Sequence, residues 1–290
     1  MRRVRLLMAA ALAACAAAQD FSNLKIEKVD AGFRFTEGPV WSREGFLLFS
    51  DVPTNRILKL VPGQRSVVFR DGSHGANGNT FDTRGRLYTC ESRTRRVTRT
   101  DRKGAIEVLA DKWEGKRLNA PNDIVVRRDG QAYFTDPAFG NQADSRELDF
   151  YGVYHISPKG QLQLIAKPAG RPNGITLSPN GRILYVANSD ERNVRAYDVA
   201  RNGGVSGERV FLSGIDGPPD GIRTDEKGNL YVTANALLVY TPEGKPLSKI
   251  ELAETPANCA FGDPDLQTLY ITARTSIYRV RLDVKGSVQY

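Results

Sequence analysis

The stretch Pro172-Asn173-Gly174-Ile175-Thr176-Leu177-Ser178-Pro179-Asn180-Gly181-Arg182-Ile183-Leu184-Tyr185-Val186-Ala187-Asn188 decides the fold. Two short apolar runs, each too short for a helix, flank a Pro-Asn-Gly turn. The same unit recurs on both sides. Its openings are Glu37-Gly38-Pro39-Val40-Trp41, Asn77-Gly78-Asn79-Thr80-Phe81, Pro121-Asn122-Asp123-Ile124-Val125, Pro219-Asp220-Gly221-Ile222 and Pro256-Ala257-Asn258-Cys259. With Asn258 taken as the key residue of the last, the key polar residues are spaced by 40, 45, 51, 47 and 38 residues. Each unit continues into a turn and a second strand, such as Leu87-Tyr88-Thr89, Ala132-Tyr133-Phe134-Thr135 and Leu230-Tyr231-Val232-Thr233. Third and fourth strand patterns follow, and no helical period of comparable length competes with them. Repeats of about 40–50 residues with four strands each predict an all-β protein, a six-bladed β-propeller of four-stranded antiparallel blades.

The last unit lacks a fourth strand, because the chain stops soon after Leu282. Leu24 to Val29 reads as a spare strand ahead of the first unit. It is expected to pair as the outer strand of the last blade and so seal the ring. Residues 19–290 are then expected to form one propeller domain.

Residues 1–18 read as an export signal. Arg2, Arg3 and Arg5 precede an apolar run, and Ala16-Ala17-Ala18 fits a cleavage site. Leu12-Ala13-Ala14-Cys15 also fits a lipobox, in which Cys15 would carry a lipid anchor and begin the mature chain. Either route predicts a periplasmic or secreted protein. Loss of the three arginines lowers the formal charge from +8 to +5. The densest basic stretch, Arg93 to Lys103, is interrupted and reads as a solvated strand face rather than a nucleic-acid site. No internal run is long enough to span a membrane. Three Cys in 290 residues exclude a disulfide scaffold. Cys90 and Cys259 fall in different blades and are expected to be free thiols.

In a propeller, first-strand starts and second-strand ends share one face. Glu37, Asn77, Asn122, Asn173, Asp220 and Asn258 should therefore gather at one mouth of the axial channel. Asp51, Glu91, Asp136, Asn188 and Asn235 should lie just outside them, and His74, Arg117 and Asn119 on the loops between blades. Any one Asn-Gly or Asp-Gly reads first as a turn cap. Two carboxylates and several carboxamides on converging strands instead fit a divalent cation held by oxygen: Ca²⁺ first, with Mg²⁺, Mn²⁺ or Zn²⁺ as alternatives. His74 and Glu91 stand as candidate substrate contacts. With only His74 and His155 and no Gly-x-Ser-x-Gly, a Ser-His-Asp triad has little support.

These residues resemble the gluconolactonase/regucalcin family of six-bladed, metal-dependent lactonases. The likeness is densest at Phe35 to Trp41, Gly115 to Asp123, Arg171 to Gly174 and Pro219 to Gly221. The resemblance implies Glu37, Asn173 and Asp220 as metal ligands, with Asn122 a fourth ligand or a substrate contact. It implies Asp220 as catalytic base, and Arg117 and Asn119 as substrate contacts. The implied reaction is hydrolysis of a small lactone, a sugar lactone such as gluconolactone first. A phosphotriester-like or aromatic ester would use the same site. The competing class is a non-catalytic propeller that holds an ion and binds a ligand or protein.

Overall fold

A computed structural model describes residues 21 and 23–288, so the export signal and Cys15 lie outside the described residues. Six four-stranded antiparallel sheets follow one another around a ring. Blade one comprises Thr36–Ser42, Phe46–Asp51, Arg56–Leu60 and Val67–Asp71. Blade two comprises Ala76–Phe81, Leu87–Glu91, Arg96–Thr100 and Ile106–Ala110. Blade three runs through Ile124–Val126, Ala132–Asp136, Gly152–Ile156 and Leu162–Ala166, and blade four through Pro172–Leu177, Ile183–Asn188, Asn193–Val199 and Val205–Leu212. Blade five holds Ile222–Thr224, Leu230–Thr233, Leu237–Tyr240 and Pro246–Ile250. Blade six holds Pro256–Gly262, Thr268–Ala273 and Ser276–Arg281, and its outer strand is the N-terminal Ile26–Ala31.

The expected closure is thus present, two residues later than Leu24 to Val29. Glu27 lies opposite Arg279 and Lys28 opposite Tyr278. Glu254 pins the seam. It accepts from Lys28 Nζ at 3.1 Å, Thr275 N at 2.9 Å, Ser276 Oγ at 2.5 Å and Tyr278 Oη at 2.9 Å.

Strand periodicity explains why the blades stack. Side chains alternate between a strand's two faces. In blade one Leu47 and Phe49 pack with Ala260 and Tyr270 of blade six, while Phe46 and Leu48 pack with Ala76 and Phe81 of blade two. The other four seams are built the same way. Inner strands are buried on both faces, so they read as apolar runs rather than alternating ones. Cys90 and Cys259 are buried free thiols in different seams, between blades two and three and between five and six. His155 is a core residue, with Nε2 2.5 Å from Gln131 Oε1.

The two ends of the channel differ. At the end away from the repeat starts, the C-terminal segment crosses over. Gly286 bridges to Asp225, and Ser287 N donates to Thr224 O at 2.9 Å. Beneath this cap lies a void of only about 50 Å³, lined by first-strand residues of all six blades and by Val288. The repeat-start residues sit at the other end of the channel, where Asn77 and Asp220 keep partial exposure. No described helix is long and apolar enough to cross a membrane.

Candidate active site: an oxygen-donor ring at the channel mouth

Four of the six first strands start irregularly. The pairing register shifts between Glu37 and Val40, Ala76 and Asn79, Pro172 and Ile175, and Pro256 and Asn258. A bulge of this kind re-aims one side chain, here the ring residue. The glycine that follows is required by a close approach. A Cβ on Gly174 would lie 2.2 Å from Asp220 O, and one on Gly78 would lie 2.5 Å from Asp123 Cα. Across these approaches Gly78 N donates to Asn122 O (2.7 Å), Gly174 N to Asp220 O (3.2 Å) and Gly221 N to Ala257 O (2.8 Å). Hydroxyls on or just past the second strands add ties to the next blade: Ser50 to Asn77 O, Thr135 to Asn173 O and Ser189 to Pro219 O, at 2.7–2.8 Å. Backbone bonds at three seams and hydroxyl ties at others fix the ring, and its side chains inherit that rigidity.

Register corrects one ring position. Pro256 lies opposite Ala273 as Pro172 lies opposite Asn188, so Ala257 is the sixth counterpart of Asn173. Asn258, the residue expected there, sits one position further along. It donates from Nδ2 to Glu37 Oε2 at 3.1 Å. Asn235 is likewise one residue beyond its expected place, because Thr233 is the residue that brackets Asp220 and Gly221.

Glu37, Asn122 and Asn173 are buried, and Asp220 keeps an open edge. Glu37 Oε2 also accepts from Gly38 N at 2.8 Å. Burial pushes the Glu37 pKa up to about 7 against those hydrogen bonds, and Asp123 repels it further. Asp220 is also pushed well up, first by burial, then by the charges of Glu37 and Asp123; its hydrogen bond with Asn173 opposes this. Glu37 and Asp220 are thus close enough to repel, and the channel's guanidinium, Arg223, is bonded to Asp123 instead. Asn77 Oδ1, in the adjacent ring position, is buried with no hydrogen-bond partner among the described residues. No group of three or more His, Cys, Asp or Glu able to hold a metal occurs among the described residues. The ring offers two carboxylates with carboxamide oxygens, a donor set that fits a hard divalent cation.

The remaining candidates have varied surroundings. Arg117 lies on a short hairpin, Lys112–Trp113 with Lys116–Arg117, that precedes blade three. It is exposed and ion-paired with Glu147 through its backbone N–H and Nε. Asn119 is fully buried. Its Nδ2 is held by Asp136 O and Phe150 O, both at 3.0 Å, so Oδ1 alone has no partner. His74 is exposed at the turn into blade two, with φ 58°. Glu91 is buried, and Thr94, Arg96 and Thr98 occupy its two oxygens, so it braces blade two. Asp51 and Asp136 cap backbone amides of the loops entering their own blades: Arg34 and Phe35 for one, Asn119 and Ala120 for the other. Asp51 and Asp136, expected just outside the ring, are thus occupied by backbone amides.

Two channel residues were not singled out from sequence. Asp123 stands where four other blades have glycine, and Arg223 is the charged residue of a first strand otherwise made of Ile222 and Thr224. Asp123 replacing glycine after Asn122 was the available clue.

Fold and ring together define a six-bladed propeller with an oxygen-donor site at the repeat-start end of its channel. Residues 35–275 match the SMP-30/Gluconolactonase/LRE-like region, and the chain belongs to that family. It is 34% identical to a gluconolactonase of Zymomonas mobilis, over 90% of this chain and 82% of that one. Among solved structures, a gluconolactonase from Xanthomonas campestris superposes with a TM-score of 0.84 at 32% identity, covering 90% of both chains. A protein described as a putative gluconolactonase superposes with a TM-score of 0.85 at 29% identity, covering 91% of this chain and 94% of that one.

Proposed function

We propose that this chain is a lactone hydrolase whose substrate is a small sugar lactone, with gluconolactone the first choice. The observation that carries the reading is the convergence of Glu37, Asn173 and Asp220 at the repeat-start end of a channel capped at its other end. Membership of a family with gluconolactonase relatives gives that site its chemistry.

Glu37, Asn173 and Asp220, with Asn122 beside them, would hold one divalent cation, calcium first. Such an ion would supply a Lewis acid for the lactone carbonyl and relieve the repulsion between the two carboxylates. Asp220 is the proposed base. Its open edge meets water at the mouth, and one carboxylate oxygen takes the proton while the other stays on the ring. Glu37 has no such edge: Gly38 and Asn258 hold one of its oxygens, so it serves as an anchor. Arg117 gives its Nε to Glu147 and keeps its two Nη groups for sugar hydroxyls. Asn119 can offer only an acceptor, Oδ1. The mature enzyme works outside the cytoplasm, as the N-terminal residues suggest.

A panel of sugar lactones followed by pH-stat, with divalent ions chelated and then restored, tests this. Acid release that stops on chelation and returns with cation supports the reading. No turnover of any lactone at saturating Ca²⁺, Zn²⁺, Mg²⁺ and Mn²⁺ overturns it in favour of a binding module.

A further inference from the structure

Arg223 carries an inference that rests on the cation reading and extends it. Its side chain is largely buried in the axial channel, below the ring. Nη1 donates to Ile222 O at 2.7 Å and Asp123 Oδ2 at 3.2 Å, and lies 3.5 Å from Ile175 O. One nitrogen is thus surrounded by three oxygens from blades three, four and five. Asp123 is fixed as firmly. Its Oδ1 accepts from Ile124 N at 2.9 Å and its Oδ2 from Ile175 N at 3.4 Å. Asp123 immediately follows Asn122, and both Glu37 and Asp220 feel its charge. A third carboxylate therefore stands directly beneath a ring that already contains two.

We propose that Arg223 is a positioning residue, a tethered cation that neutralises Asp123 and holds it below the ring, so that an exchangeable divalent ion meets only Glu37 and Asp220 as charged ligands. A guanidinium suits this place because it stays charged when buried. Contacts with Asp123 Oδ2 and Ile175 O tie it to blades three and four, so it cannot follow an ion in or out of the mouth. The Asp123–Arg223 pair is neutral as a unit and adds little net field at the ring. Each member alone would add a full charge.

That gives the test an uncommon signature, in which the two single substitutions act in opposite directions. Calcium chloride is titrated by calorimetry into the chelator-treated full chain at low ionic strength. Asp123→Asn keeps shape and leaves Arg223 uncompensated, so Ca²⁺ should bind at least about tenfold more weakly. Arg223→Met leaves Asp123 uncompensated, so Ca²⁺ should bind at least about tenfold more tightly. The double variant should return to within about threefold of the parent, and Arg223→Lys should stay close to it. Single substitutions that shift affinity in the same direction, or not at all, overturn the role of Arg223. If Arg223→Met does not fold, Asp123→Asn and the double variant still decide, since the double must recover what Asp123→Asn loses. A parent that binds no divalent cation overturns the cation reading itself, which separates the two failures.

Discussion

Gly174→Ala should damage both the fold and the site, and the structure sets the scale. Gly174 does not need glycine for its φ; it needs the space. The new methyl would lie 2.2 Å from Asp220 O, 2.8 Å from Gly221 Cα and 2.8 Å from Ile222 N. All three are backbone atoms of the next blade, so no side chain can swing aside. Overpacking of this kind costs about 1–3 kcal/mol. Separating the blades also stretches the Gly174 N–Asp220 O bond, worth about 0.5–1.5 kcal/mol. A total of about 1.5–4.5 kcal/mol corresponds to a Tm lowered by roughly 3–18 °C, at about 2–4 °C per kcal/mol. Gly104→Ala is the control. Gly104 sits at φ +89° with nothing within 4 Å, so only backbone strain applies, about 1–2 kcal/mol. Differential scanning calorimetry compares the two. At a temperature where both are folded, lactone turnover should fall only for Gly174→Ala, because Asp220 is displaced from Asn173. A Gly174→Ala variant that melts within about 2 °C of the parent with parental turnover would refute the idea that blade spacing sets ring geometry.

Asp220→Asn should retain weakened cation binding while turnover falls by about 10²–10⁴-fold even at saturating cation. Glu37→Gln should instead lose activity through cation affinity and recover much of it when the ion is in excess; parallel calorimetry and kinetics separate the two. Burial alone would raise the Glu254 pKa, but hydrogen bonds from Ser276, Thr275 and Lys28 outweigh it and hold it at about 2. Its contribution is present above its ordinary value of 4.5 and is lost as the pH falls from there towards 2, so the stability advantage of the parent over Glu254→Gln should vanish across that window. Deleting residues through Ala31 should lower the melting temperature by several degrees, because it removes a paired strand and exposes the edge of blade six; an unchanged melt would deny Ile26–Ala31 its role as the seal. Intact mass of the protein from its native host should place the mature N-terminus at Gln19 or at a lipidated Cys15, and a chain that keeps Met1 would refute export.

What was legible in the sequence is what local chemistry determines. In five of the six blades the turn after the first strand ends in glycine, as in Asp82-x-x-Gly85, Pro179-Asn180-Gly181 and Asp225-x-x-Gly228, and the second strand follows within a few residues. Blade count, strand order and the types of ring residue came from such signals. Ala257 shows where they stop. The bulge between Pro256 and Asn258 changes which residue takes the ring position, and linear spacing cannot count a bulge. Asn258 therefore looked like a sixth ring member, whereas its carboxamide turns to Glu37, 221 residues away. Arg223 and Asp123 are 100 residues apart and meet only because the ring closes. Glu91 looked like a free carboxylate at the mouth; only the third strand of its own blade reveals that Arg96 and Thr98 already occupy it.

The closing strand makes the same point from the opposite side. The strand pattern read from sequence ends at Val29, one residue before Asp30. In the fold, the register shifts between Lys28 and Asp30, and Asp30 turns inward. There its carboxylate accepts from Ala31 N at 2.9 Å, Ser66 N at 2.8 Å and Arg65 Nη1 at 2.8 Å. Ser66 and Arg65 belong to the turn before blade one's outer strand, so this buried charge pegs the last blade to the first. A buried carboxylate is costly unless it is satisfied, and this one is satisfied only when both ends of the ring are in place. The residue just beyond that pattern therefore helps to enforce closure, and closure holds Glu37 of blade one beside Asn258 of blade six.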